Sequence, residues 1–130
     1  MNQSASLAGR RVLVVEDEFL LAMELEDLLA RGGCRVLGPA ASVRQALAML
    51  EGERPDFALL DVNLKGERAT PVAAALRERG VPYVLITGYS EAQLNEPELR
   101  NAPRVDKPLS CRMLARAVQR ALDGAAPQPH

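Results

Sequence analysis

The chain reads as an α/β protein, a doubly wound five-stranded parallel sheet in a single domain, on three observations. Short β-branched runs alternate with longer segments of helical period, which is the pattern of a parallel sheet covered on both faces. Two of those runs, Val12 to Val15 and Phe57 to Leu60, deliver carboxylates to their ends as Glu16-Asp17 and Asp61. With 130 residues and 48% hydrophobic composition, the chain has material for one real core and no room for a second.

The elements follow in order. After the strand at 12–15, Phe19, Leu20, Met23, Leu25, Leu28 and Leu29 recur at helical spacing until Gly32-Gly33, which predicts the first helix and its buried stripe. Cys34 to Leu37 is a second short strand ending at Gly38-Pro39. Ser42 is placed as the N-cap of a second helix with Val43, Ala46, Leu47 and Leu50 buried, closed by Gly52. Phe57 to Leu60 is the third strand. Pro71 implies a third helix starting near Thr70 and ending at Gly80. Val81 to Ile86 is the fourth strand, and Val105 centres a fifth kept short by Pro103 and Pro108. Between them, Pro97 is expected to cut the helix of Ser90 to Ala102, leaving a short, mobile one. Ser110 caps the last helix, with Met113, Leu114, Ala117, Val118 and Leu122 inward. Residues 1–10 read as an N-terminal extension, 11–123 as the domain, and 124–130 as a disordered tail too short for an effector domain. Five strands and about five helices predict the flavodoxin-like (βα)5 arrangement, strand order 2-1-3-4-5, in which strands 1 and 3 are neighbours.

Composition excludes several classes. Sixteen basic and seventeen acidic residues give a net charge of -1, with no overall pull toward nucleic acid or a membrane surface. Arg10-Arg11 is no basic stripe. The first nine residues lack the apolar core of a signal peptide, and no apolar run reaches the length of a membrane span, so the expectation is a cytoplasmic protein whose partners are proteins. Cys34 and Cys111 are read as reduced thiols in or near the core. His130, the one histidine, is terminal and inert.

In the predicted topology Glu16, Asp17 and Asp61 converge at the carboxyl edge of the sheet. Carboxylates gathered there suggest a cation site, and a cation there suggests phosphate chemistry. Each residue also has an ordinary explanation alone: Glu16, Asp17 and Glu18 as an acidic first helical turn, Asp61 and Thr87-Gly88 as turn residues, Lys107 as solvated charge. Leu64 to Glu67 reads as a flexible loop at the pocket mouth.

Taken together, Glu16-Asp17, Asp61, Thr87 and Lys107-Pro108, each at a strand end and in this order, resemble the receiver domain of response regulators in bacterial two-component systems, over about Arg11 to Leu122. The resemblance implies Asp61 as phosphoacceptor, Mg²⁺ held by Asp17 and Asp61 directly, by Glu16 through water and by the carbonyl of Asn63, and Lys107 and Thr87 as phosphoryl-binding and switch residues. It also implies a cis peptide at Pro108. Many receivers carry an aromatic three residues before the lysine, where this chain has Arg104. Pro82 to Tyr89 is similar to a receiver subfamily called FATGUY, with Thr87-Gly88 after the fourth strand, which makes Tyr89 the candidate aromatic mover.

The implied function is that of a single-domain response regulator, not an enzyme, phosphorylated by a histidine kinase and signalling through a phosphorylation-dependent change in protein binding. Three alternatives remain: a phosphate shuttle or sink working with a histidine phosphotransferase, a pseudo-receiver that binds partners without phosphorylation, and a metal-dependent phosphatase. Val62 and Asn63 stand where a phosphatase would place a second aspartate. A downstream target protein is expected, and a homodimer through the last helix near Leu114 and Val118 is an option; these two residues are more simply core.

Overall fold

A computed structural model describes residues 8–88, 94–107 and 110–125. Its elements are β1 (Arg11–Val15), α1 (Phe19–Arg31), β2 (Arg35–Ala40), α2 (Val43–Gly52), β3 (Phe57–Asp61), β4 (Asn63–Leu64), β5 (Glu67–Arg68), α3 (Thr70–Glu78), β6 (Tyr83–Thr87), α4 (Pro97–Arg100), β7 (Arg104–Asp106) and α5 (Cys111–Ala125). The main sheet is parallel throughout, in the order β2-β1-β3-β6-β7. This is the expected order, with β6 and β7 as the fourth and fifth strands because a small hairpin, β4-β5, intervenes.

The two faces of the sheet are set by alternation along the strands. Leu13, Val15, Ala58, Leu60 and Leu85 pack on one side with α2 and α3, while Val12, Val14, Leu59, Val84 and Ile86 pack on the other with α1 and α5. β3 and β6 are buried along their whole length, as central strands covered on both faces must be. The most buried positions therefore include the strand that ends in Asp61.

Local chemistry explains the helix boundaries. Ser42 caps α2 by accepting the amide of Gln45 at 3.1 Å, and the Ser110 hydroxyl accepts the amide of Met113 at 3.3 Å at the start of α5. Pro71 sits in the first turn of α3, and Gly80, at φ +70, follows its end.

Six expectations are corrected. β2 continues past Leu37 through Gly38-Pro39 to Ala40; it is an edge strand, where a residue without an N–H is tolerated, and its register against β1 shifts between Leu13 and Val15. On α1 the buried residues are Ala22, Leu25 and Leu29, whereas Phe19, Leu20 and Met23 are exposed. Phe19, Leu20 and Met23 lie on the outer side of α1, while Ala22, Leu25 and Leu29 fall on the side that faces the sheet. Met113 is likewise exposed, and Ala121 takes a place on the inner face of α5 with Leu114, Ala117 and Val118. α4 is short, as expected, but Pro97 opens it rather than cutting it, since its missing N–H is no loss in a first turn. Leu94 and Leu99 are both buried.

The fifth correction concerns the stretch after Asp61. It is a hairpin, with Asn63 opposite Arg68 and Leu64 opposite Glu67. Lys65 and Gly66 form its two-residue turn with φ of +53 and +84, the left-handed pair that such a turn requires. Residues 124 and 125, expected in the disordered tail, continue α5 instead; Tyr89, Pro108, most of the stretch before α4 and residues 126–130 lie outside the described residues, and with them the expectations for an aromatic mover, a cis peptide at Pro108 and the rest of the tail. Among the described residues no helix is long and apolar enough to cross a membrane.

Candidate functional site

β1 and β3 lie side by side, with Val15 opposite Leu60, so the residues that follow Val15 meet the end of β3. Glu16 and Asp61 are both buried there, at 2% and 4% exposure, and Thr87 at the end of β6 is buried at 1%. Carboxylates this deep need partners. Asp61 finds two: its Oδ1 accepts the amide of Asn63 at 3.0 Å, and its Oδ2 lies 3.2 Å from Lys107 Nζ. The lysine follows β7, and its own amide donates to the carbonyl of Thr87 at 3.0 Å. Thr87 thus fixes the backbone that carries the ammonium.

Glu16 is less well served. Its Oε2 accepts the amide of Glu18 at 3.0 Å, but its buried Oε1 has no hydrogen-bond partner. Burial first, then the neighbouring Asp61 carboxyl, push Glu16 up to about 8 from 4.5. Lys107 is pulled down by its own desolvation, but the Glu18 hydrogen bond and the charges of Asp61 and Glu16 outweigh that and leave it raised. Burial thus holds Glu16 toward its neutral form, while the surrounding carboxyl groups hold Lys107 in its charged form.

Glu18 is the residue that the sequence reading missed. Its Oε2 lies 3.0 Å from Lys107 Nζ, and carboxylate oxygens of Glu16, Glu18 and Asp61 all fall within 4.8 Å of one another. Asp17, placed among the direct metal holders from sequence, accepts the amide of Lys65 at 3.0 Å through Oδ2 and lines the same cavity of about 330 Å³ with Glu18, Asp61, Asn63, Lys65, Gly66, Gly88 and Lys107. No pattern in the sequence distinguished Glu18 from its acidic neighbours; its role comes from the chain turning at the start of α1. Arg104 stays outside this constellation, half-buried, with Nη2 donating to the carbonyl of Arg100 at 3.0 Å. Gly88 has room: a Cβ there would meet only Lys107 Cδ, at 4.0 Å.

The donor set suits a hard cation. Such an ion takes carboxylate and carbonyl oxygens, and an unpartnered buried Glu16 oxygen beside Asp61 is the kind of atom it would satisfy.

Fold and site together define a class: a parallel α/β domain with an acidic, cation-suited pocket and a facing lysine at the carboxyl ends of its first, third and last main strands. The chain belongs to the response regulator receiver domain family, whose model matches residues 12–119. It is similar to SdrG from Sphingomonas melonis Fr1 (38% identity, TM-score 0.77, covering 89% of this chain and 98% of that one). It is also similar to the PhyR receiver domain of Erythrobacter litoralis (28% identity, TM-score 0.82, 96% and 99%). Among curated relatives, the positive alginate biosynthesis regulatory protein of Pseudomonas aeruginosa is 35% identical over 114 residues, covering 85% of this chain and 46% of the relative. The transcriptional regulatory protein PdtaR of Mycobacterium tuberculosis is 31% identical over 88 residues, covering 67% and 43%. The chain therefore spans less than half the length of these curated relatives.

Proposed function

We propose that this receiver takes a phosphoryl group onto Asp61 from the phosphohistidine of a histidine kinase, with Mg²⁺ in the acidic pocket, and signals through a change in protein binding. The observation that carries the reading is the Lys107 ammonium 3.2 Å from Oδ2 of a buried aspartate. An Asp61 oxygen attacks phosphorus, the phosphorus–nitrogen bond breaks, and the imidazole leaves with the electron pair and takes up a proton. The product is an acyl phosphate. Glu16, Asp61, the Asn63 carbonyl and Asp17 or Glu18 would hold the Mg²⁺, which when bound neutralises charge on the transferring group. Lys107 does the rest of that neutralising. Its second partner, Glu18, is 62% exposed, so their ion pair is weak and the ammonium can turn to a phosphoryl oxygen at small cost. Thr87, already bonded through its carbonyl to the Lys107 amide, is placed to report the change. The chain acts as an acceptor and not as an enzyme with a separate substrate.

Incubation with acetyl phosphate and Mg²⁺ followed by intact-mass measurement tests this. Wild type gains one phosphoryl mass, while Asp61→Asn and metal-free wild type gain none; an equal gain on Asp61→Asn, or none on wild type, overturns the assignment. Transfer from a panel of histidine kinases then identifies the donor.

A further inference from the structure

The Lys107 ammonium has two anionic neighbours. It donates to Glu18 Oε2 at 3.0 Å and to Asp61 Oδ2 at 3.2 Å, so the nearer carboxylate is the one that receives no phosphoryl group. Glu18 stands at the N-cap of α1, where a carboxylate ordinarily accepts an amide of the first turn, yet its side chain makes no capping hydrogen bond. It reaches the ammonium across 89 positions of sequence instead. The roots of both side chains are fixed. The Glu18 amide donates to Glu16 Oε2 at 3.0 Å, its carbonyl accepts the Ala22 amide at 2.9 Å, and the Lys107 amide donates to the Thr87 carbonyl at 3.0 Å. The tips have room to move. The Glu18 side chain is 62% exposed, and beside the lysine stem a Cβ on Gly88 would meet only Lys107 Cδ, at 4.0 Å. The ammonium can therefore swing between acceptors while its backbone stays in place.

We propose that Glu18 is a positioning residue that acts through Lys107, competing with the incoming phosphoryl group for the ammonium and so slowing uptake on Asp61. The inference rests on Asp61 as phosphoacceptor and adds a determinant of its rate. During transfer, the charge on the phosphoryl oxygens is met best by an ammonium turned wholly toward them. An ammonium has three donors, so sharing it with Glu18 costs alignment and not every contact. The competing carboxylate also leaves its own negative charge near the transferring group. Because the pair is exposed, the restraint is a few-fold slowing and not a block. Metal ligation is the rival role for Glu18, whose oxygen lies within 4.8 Å of those of Glu16 and Asp61. An ammonium at 3.0 Å makes Glu18 a poorer cation ligand than Asp17, whose bonded neighbour is an uncharged amide.

The test follows uptake from acetyl phosphate at saturating Mg²⁺ by intact mass. An Asp61 oxygen bonds to phosphorus, the phosphorus–oxygen bond to the acetyl group breaks, and acetate leaves with the electron pair. Glu18→Gln, which keeps the size and removes the charge, should take up the phosphoryl group about threefold faster than wild type. Raising the salt to about 1 M should bring the two rates together, because an exposed pair is screened there. In a Lys107→Ala background the Glu18→Gln change should make no difference, since its effect passes through the ammonium. In the metal-free protein, hydrogen exchange of the Lys107 ammonium should quicken in Glu18→Gln. That measurement reads the pairing without any phosphorylation, and it decides where the Lys107→Ala background takes up too little to compare. Uptake by Glu18→Gln no faster than wild type, an equal gain in the Lys107→Ala background, unchanged ammonium exchange, or a loss of about tenfold or more in Mg²⁺ affinity would each overturn the proposal. No uptake by wild type would overturn the phosphoacceptor assignment itself, and this inference with it.

Discussion

The amide of Lys65 donates to Asp17 Oδ2 at 3.0 Å, joining the turn of the β4-β5 hairpin to the chain just past β1. Asp17 therefore does two things at once: it restrains the loop that walls the pocket and adds a carboxylate to it. The Asp17→Ala variant should show faster hydrogen exchange at the Lys65 amide and about tenfold weaker Mg²⁺ binding, read by exchange NMR and by metal titration. Unchanged exchange at Lys65 would count against the restraint.

The same turn holds Lys65 in the left-handed region, which a side chain with a Cβ adopts at a cost and which asparagine tolerates well. The Lys65→Asn variant should gain about 0.5–1 kcal/mol in urea unfolding with the Asp17 bond kept, because that bond uses the backbone amide. The turn shows why part of the site was not legible. Lys-Gly is a poor signature beside Asn-Gly, so the stretch read as a flexible loop although its backbone forms a regular hairpin.

Burial of Glu16 gives the metal-free protein a pH dependence of its own. Its folded value of about 8 lies above its ordinary 4.5, so the folded state holds this proton more tightly than the unfolded state. The stability it contributes is full below 4.5 and is lost as pH rises toward about 8. In EDTA, wild type should lose urea resistance between these limits, and Glu16→Gln should lose much less. Added Mg²⁺ should restore the wild type at the upper end by binding the ionised carboxylate, and should help the variant little.

Gly38 is held at φ +98, and a Cβ there would come to 2.8 Å from the Ala40 amide nitrogen and 3.0 Å from the Val14 carbonyl. Gly38→Ala should cost about 2 kcal/mol or more in urea unfolding. Gly52→Ala is the control: nothing lies within 4 Å of that position, and it ends α2, so the change should be neutral or slightly stabilising.

The alternation of strands and helices was readable because it rests on burial, and burial writes a period into the chain. Glu16, Asp61, Thr87 and Lys107 were readable for a related reason: a strand of fixed length and direction places the residue at its end. What period cannot supply is the phase of a helix where it overhangs the sheet. Phe19, Leu20 and Met23 match a helical stripe as well as Leu25 and Leu29 do, yet they are exposed, because the side of α1 that meets the sheet is the one carrying Ala22, Leu25 and Leu29. Glu18 was missed for a similar reason, since its pairing with Lys107 joins residues 89 positions apart through the turn before α1.

β6 carries a hydroxyl at each end, Tyr83 tied to α4 and Thr87 at the pocket, with three fully buried apolar residues between. β3 pairs with it along one edge and β7 along the other. Sliding such a strand would break two ladders and withdraw its first residue from its anchor. β6 is thus a rod clamped at one end and gripped on both sides, and a pull applied at Thr87 is felt most where the grip ends, at Gly88.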